Sequence, residues 1–173
     1  LADAIPELAP DVPVALKWPN DLLVGPARGK AAGILAEMTA VSGGGPGIVL
    51  GIGLNISTPA TDLPWGATSL AAHGFTATRA ETATALLGHL YRREAQWRDA
   101  RGDADACGLR RDYRSACASL GSRVRVERPA GDHLVGTAED VDPQGRLLVH
   151  PDDGARVAVA AGDIVHLRAA DQS

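Results

Sequence analysis

The chain of 173 residues is poor in aromatic side chains: three Trp, two Tyr and one Phe, 3% in all. Its core must therefore be built from Ala, Val, Leu and Ile, within a hydrophobic content of 45% that is ordinary for a globular chain. Only two cysteines are present, Cys107 and Cys117. On one helix, ten positions would separate them by about 15 Å, too far for a disulfide. Their spacing is also not the CxxC of a metal or redox site, so two reduced thiols are expected. No apolar run approaches a membrane span and no signal peptide is visible, so the expectation is a soluble, cytoplasmic protein. Positive charge is scarce too, with a formal net charge of −4. No arginine cluster is interleaved with aromatics, which leaves nucleic-acid binding without an electrostatic footprint. The five histidines (His73, His89, His133, His150 and His166) lack ligand spacing, so no metal centre is expected through them.

The scarcest charged residue is lysine. Fifteen of the seventeen basic residues are arginine, and the two lysines, Lys17 and Lys30, stand thirteen positions apart in one glycine-bearing stretch. It reads Lys17-Trp18-Pro19-Asn20-Asp21-Leu22, then Arg28-Gly29-Lys30-Ala31-Ala32-Gly33-Ile34-Leu35-Ala36-Glu37. A bias toward Arg and Ala fits a GC-rich genome and explains why lysine is rare. It does not explain where the survivors sit. Lysine offers a compact charge on a flexible stem where arginine offers a planar fork. A compact cation suits a carboxylate oxygen that is becoming bonded to phosphorus.

Length allows one large domain, or a domain with a small module. The chain opens in a helix-like segment from Leu1 to Pro6. Val12 to Lys17 alternates loosely and meets turn chemistry at Pro19-Asn20-Asp21, after which Leu22–Val24 reads as a short strand. Lys30–Val41 is apolar and small, which periodicity alone assigns to neither helix nor strand. We read it as a strand, paired through the Ser42–Gly47 turn with a second buried strand over Ile48–Ile56. Thr78 with Glu81 forms a capping box for a helix whose apolar face carries Ala83, Leu86, Leu87, Leu90 and Trp97. A second helix is expected from about Asp105 to Leu120, striped by Leu109, Tyr113, Cys117 and Leu120 and stopped at Gly121. From Ser122 onward, short strands around Val124, Leu134–Ala138, Arg146–His150, Arg156–Val159 and Ile164–Leu167 alternate with turns at Pro129–Asp132, Asp142–Gly145 and Pro151–Gly154. That rhythm predicts a small β-barrel beginning near Gly121.

Several residues are candidates for chemistry. Lys17, Asn20 and Asp21 form either a plain strand-to-turn junction, with Trp18 packed inward, or a ligand-facing corner. Gly29 and Gly33 let a ligand approach the backbone beside Lys30. Backbone N–H groups near Gly33 and Ile34 would then bind polar ligand atoms while Lys30 balances developing negative charge. Gly51-Ile52-Gly53-Leu54-Asn55 is a weak nucleotide signal, lacking the third glycine of a dinucleotide fingerprint and a following helix. Its Asn55 carboxamide both donates and accepts, as reading an adenine edge requires. Trp65 taken alone reads as a core cap; the alternative is stacking on a base.

Taken in order and spacing, Lys-Trp-Pro-Asn-Asp-Leu, Gly-Lys-Ala-Ala-Gly-Ile-Leu-Ala-Glu and Gly-Ile-Gly-Leu-Asn closely resemble the biotin protein ligases. The resemblance implies an α+β fold: a mixed sheet with packed helices in the manner of class II synthetases over residues 1–120, then an SH3-like barrel over 121–173. It implies ATP-dependent biotinylation of a carrier-protein lysine through biotinyl-5′-adenylate, with biotin and ATP as substrates and Mg²⁺ as cofactor. It makes Lys30, Asp21 and Lys17 the catalytic candidates, Lys30 at the biotin carboxylate and α-phosphate and Asp21 assisting the incoming lysine. Asn20, Gly33, Ile34, Leu35, Gly51, Gly53, Asn55, Trp65 and Arg168 become the substrate- and nucleotide-binding candidates. The partner implied is a biotin carboxyl carrier domain; the resemblance also admits a homodimer. The family's glycine- and arginine-rich loop lies upstream of these blocks and is absent here. A segment preceding Leu1 is therefore expected, as is poor activity of these 173 residues alone. The rival readings are a lipoate-type ligase, a regulator that senses biotinyl-adenylate, and an inactive scaffold.

Overall fold

The protein is described here from a computed structural model, over residues 1–40, 45–127 and 131–167. Arg168 and half of each of the Ser42–Gly47 and Pro129–Asp132 turns lie outside the described residues. Contacts divide the chain into two units, Leu1–Ala15 with Asn20–Ala85, and Leu16–Pro19 with Leu86–Ser173.

The first unit opens with the short helix α1 (Ala4–Leu8) and is organised around a four-stranded sheet in the order β1 (Val14–Lys17), β2 (Asp21–Val24), β3 (Gly29–Ala40), β4 (Pro46–Leu54). Strand β1 passes from the first unit into the second at Ala15/Leu16. Every residue of β2 is buried, as its continuous Leu-Leu-Val run requires. Strands β2 and β3 are antiparallel, with Asp21 opposite Gly33, Leu22 opposite Ala32 and Leu23 opposite Lys30. Ala31 is skipped, so β3 carries a β-bulge there. Its backbone is still used, since the Asn55 N–H bonds to the Ala31 carbonyl at 2.8 Å.

Among the described residues, strand β3 pairs beyond Gly33 with β4 alone. This corrects the expectation of two buried strands: Leu35, Met38, Ile48, Val49 and Leu50 are all exposed. Two short 3₁₀ turns, Ala60–Asp62 and Ala71–His73, then lead to α2 (Arg79–Asp99). The expected capping box is present. The Thr78 N–H donates to Glu81 Oε2 at 2.8 Å, and the Glu81 N–H donates to Thr78 Oγ1 at 3.2 Å. The apolar stripe is only partly covered. Leu86 and Leu90 are half-buried, whereas Ala83, Leu87 and Trp97 are exposed. Trp97 instead spends its indole N–H on the Gly102 carbonyl at 2.8 Å.

The second unit holds α3 (Leu109–Ala116) and the antiparallel strands β5 (Arg123–Glu127), β6 (His133–Val141), β7 (Leu147–Pro151), β8 (Val157–Val159) and β9 (Asp163–His166). They form one sheet in the order β8-β7-β6-β5-β9, and among the described residues its two outer strands are not paired to each other. The expected barrel is thus seen as an open five-stranded sheet. Alternating Val124, Val126, Ala138, Val141, Leu147, Val149, Val159 and Ile164 form its core together with Trp18 and Cys117. Helix α3 is shorter than the periodicity predicts. Gly108 before it has φ +78°, outside the helical region, and Cys117 after it is extended, because the Ala118 N–H bonds to the Leu16 carbonyl at 2.7 Å. Cys107 and Cys117 are both free thiols.

Candidate functional site

The bulge decides which side chains meet in the first unit. In a regular strand, residues three apart face opposite ways. Skipping Ala31 brings Lys30 onto the face of Asp21 and Gly33. There Lys30 Nζ lies 2.7 Å from Asp21 Oδ1. The lysine side chain is half exposed and the aspartate side chain is buried, so the cation is tethered from below and open from above. Gly33 supplies the opening: a Cβ there would meet Lys30 Cε and Nζ at 3.7 Å and Asp21 Oδ1 at 3.8 Å. Gly53 stands directly opposite Gly33, and Gly51 opposite Leu35. The result is a patch free of side chains at the Gly33–Gly53 pair beside one ion pair, which is what a ligand needs to reach backbone and cation together.

Asn20 is bonded within the protein. Its Nδ2 donates to the Ile34 carbonyl at 2.7 Å, and its own carbonyl accepts the Ile34 N–H at 3.0 Å. Both polar backbone groups of Ile34 are therefore held by Asn20. This corrects the reading of the Ile34 N–H as a ligand donor: the turn closes onto β3 and uses it. Leu35, on the Gly33 face by register, is exposed.

Two further candidates converge on Lys30 through the backbone. The Lys30 N–H donates to the Gly66 carbonyl at 2.9 Å, and the Lys30 carbonyl accepts the Thr68 N–H at 2.9 Å. Gly29 permits this approach, since a Cβ there would fall 2.8 Å from Thr68 Cβ. The same pairing fixes Trp65, the neighbour of Gly66, which is 99% exposed. That overturns the core reading of Trp65: it presents a whole indole to solvent one residue from the lysine's own hydrogen bond. Asn55 spends one Nδ2 hydrogen on the Thr68 carbonyl at 3.2 Å, leaving its second hydrogen and its oxygen for a ligand. The structure thus brings Asp21, Lys30, Gly33, Asn55 and Trp65 onto connected strands and turns of one unit.

Lys17 belongs to the second unit with Trp18 and Pro19. Trp18 is buried there; its backbone N–H donates to Ser119 Oγ at 3.1 Å and its indole N–H to the Gly145 carbonyl at 2.9 Å. Gly145 lies in the turn between β6 and β7, which Asp142 closes. Asp142 accepts the N–H groups of Gln144 and Arg146, both at 2.9 Å, and Arg146 Nε at 2.6 Å. Burial pushes the Asp142 carboxyl up, but the bonds from Arg146 and Gln144 outweigh it and hold the group below its ordinary range.

Comparison with known proteins gives one consistent likeness. Residues 119–167 match the biotin protein ligase C-terminal domain. The chain is 45% identical over 161 residues to the biotin–[acetyl-CoA-carboxylase] ligase of Mycobacterium tuberculosis, covering 92% of this chain and 55% of that protein. Over the span it covers, the chain is similar to the biotin protein ligases. A second biotin–[acetyl-CoA-carboxylase] ligase, from Paracoccus denitrificans, is 31% identical over 160 residues, or 88% of this chain and 63% of that one. The chain thus spans less than two thirds of either ligase. The fold also matches the Aquifex aeolicus biotin protein ligase solved in complex with biotin and ATP, with a TM-score of 0.74 and 21% identity over 96% of this chain and 66% of that one.

The residues that fix the motif are less visible in the sequence than those that compose it. Ser119 and Gly145 accept from Trp18, His166 meets Ser119, and Gly66 and Thr68 bracket Lys30. Ser119 lies in a stretch that reads as the end of a helix. Nothing local signals a contact 101 residues away.

Proposed function

We propose that this sequence carries the adenylate-forming centre of a biotin protein ligase. That ligase activates biotin with ATP and passes the biotinyl group to one lysine of a carboxyl carrier domain. The reading rests above all on the tethered pair of Lys30 and Asp21, 2.7 Å apart beneath the open patch at Gly33. In the first step the biotin carboxylate attacks the α-phosphorus and pyrophosphate leaves. Two anions must meet, and a preplaced ammonium lowers that cost where charge concentrates. Lys30 is the ammonium, with Lys17 as a second candidate cation. In the second step the carrier lysine attacks the acyl carbon and AMP leaves; Asp21, freed as Lys30 turns to the ligand, accepts the proton that the amine loses. Trp65 is proposed to stack on adenine, with Asn55 at its edge. Gly33, Leu35, Gly51 and Gly53 line the biotin side, and Asn20 and Ile34 hold its wall.

Mg²⁺ would arrive on the ATP phosphates, with Asp21 the carboxylate beside Lys30. In the same reading, residues 1–120 are the later part of a class II synthetase-like catalytic domain. Residues 121–173 are an SH3-like barrel, of which the open sheet is the described part. The protein works in the cytoplasm, where its carrier substrate is made, and a homodimer is compatible with this site. Among the described residues no helix is long and apolar enough to cross a membrane.

The test is adenylate formation. Full-length protein is incubated with biotin and α-labelled ATP, and biotinyl-adenylate is counted before and after a carrier domain is added. Lys30→Ala should slow adenylate formation by about 10²–10³ with its circular dichroism spectrum unchanged. Adenylate appearing at the parent rate would show that Lys30 has been assigned wrongly.

A further inference from the structure

We propose that the pocket between α3, the β6–β7 turn and Trp18 binds a small aliphatic monocarboxylate, with Arg110 holding the carboxylate. The pocket measures about 300 Å³, and every residue lining it belongs to the second unit. Its occupancy can be tested whether or not the ligase reading holds. Protein interiors pack as densely as organic crystals, so an opening of this size is not slack in a core. It lies at the lower end of the range for ligand sites, which suits a molecule of about ten non-hydrogen atoms better than a nucleotide.

Apolar side chains form most of the wall: Trp18, Pro19, Leu109, Tyr113, Val141 and Pro143. That wall is set before a ligand arrives. The proline rings fix their own backbone, and the Trp18 indole N–H donates at 2.9 Å to the carbonyl of Gly145, another wall residue. Sites formed in advance lose less freedom on binding. Two charged residues also line the pocket, and they differ in what they have left to offer. The Asp142 carboxylate already accepts from the Gln144 and Arg146 N–H groups and from Arg146 Nε. Arg110 is only partly engaged. Its Nε donates to Asp105 and its Nη1 to the Val141 carbonyl at 3.1 Å, while Nη2 has no partner among the described residues. A guanidinium carries five N–H donors and no acceptor, so with two used, three remain. A carboxylate takes two parallel N–H bonds from such a group. Around it, Asp142 is matched by Arg146, Asp140 by Arg114 at 2.6 Å, and Asp105 by Arg110 itself. The attraction therefore comes from directed bonds rather than from net charge. A sugar or a nucleotide would bring polar groups to apolar walls that leave them unbonded.

Sodium octanoate is the probe and 1-octanol its neutral counterpart, each titrated into full-length protein by calorimetry. Octanoate should bind with a dissociation constant at or below about 1 mM. The alcohol should bind at least tenfold more weakly, having no pair of charged oxygens for the guanidinium. Arg110→Gln should weaken octanoate at least tenfold and leave 1-octanol within about twofold. Ala160→Phe places a ring at an exposed position on the wall and should obstruct both. Thermal unfolding shows whether each variant is folded; if Arg110→Gln is not, Ala160→Phe, which leaves the Arg110 bonds in place, decides alone. Saturating biotin should leave octanoate binding unchanged. No binding at about 10 mM octanoate would overturn the proposal. So would equal affinity for the alcohol, or parent affinity in folded Arg110→Gln or in Ala160→Phe. Displacement of octanoate by biotin would overturn it too, because the probe would then be sitting in the biotin pocket.

Discussion

At Gly33 the absence of a side chain carries information that the same glycine cannot give in a sequence. A methyl group added there would meet nothing closer than 3.7 Å, so the protein's own packing does not demand glycine. What remains to demand it is a ligand. Gly33→Ala should therefore melt within about a degree of the parent, while calorimetry shows biotin binding weakened at least tenfold. Equal affinity would place biotin elsewhere. Lys30 and Asp21 were legible as chemistry because lysine is so rare in this chain. That Lys30 faces Asp21 was not legible: residues 30 and 33 are an odd number apart, and only the bulge at Ala31 makes them cofacial. Trp65 misled in the opposite direction. Large aromatics usually pack inward, and only the pairing of Lys30 with Gly66 reveals why this one stands in solvent.

Elements were read well where local chemistry sets them, and less well where distant partners do. The Thr78–Glu81 cap, the β3–β4 hairpin and the short strands from Arg123 onward all follow from turn residues and alternation. Helix α3 ends early because Ala118 pairs with Leu16, a contact that no window around residue 118 contains. The β6–β7 turn offers a test at this scale. The Asp142 carboxyl is held below its ordinary range, so it binds a proton less readily folded than unfolded. The stability it contributes is complete above the unfolded value, near 3.8, and is lost as pH falls through the lower folded value. Asp142→Asn should therefore lower the melting temperature at pH 6, with the gap to the parent narrowing as pH drops below about 4. A gap that stays constant with pH would remove the charge from the explanation.

The whole molecule is discontinuous in sequence: residues 16–19 belong with residues 86 onward, and the stretch between them forms the other unit. The four-residue piece looked like a strand running into a turn, and its allegiance is decided by Ser119, Gly145 and a core of valines that local reading cannot connect to it. Replacing Trp65 and Trp97 by Phe leaves Trp18 as the sole tryptophan. In that background, removing residues 121–173 should shift its emission to the red, because its core partners and the Gly145 carbonyl are gone. Unchanged emission would mean that Trp18 is buried without them. The order of manufacture gives this arrangement a further consequence. A ribosome adds about 5–20 residues per second, so roughly 6–25 s separate the making of Trp18 from the making of Gly145, 127 residues later. Through that interval the tryptophan next to the site has no acceptor for its indole. A nascent chain would carry Trp18 long before its partners, and could hold that tryptophan in place only once the β6–β7 turn has emerged.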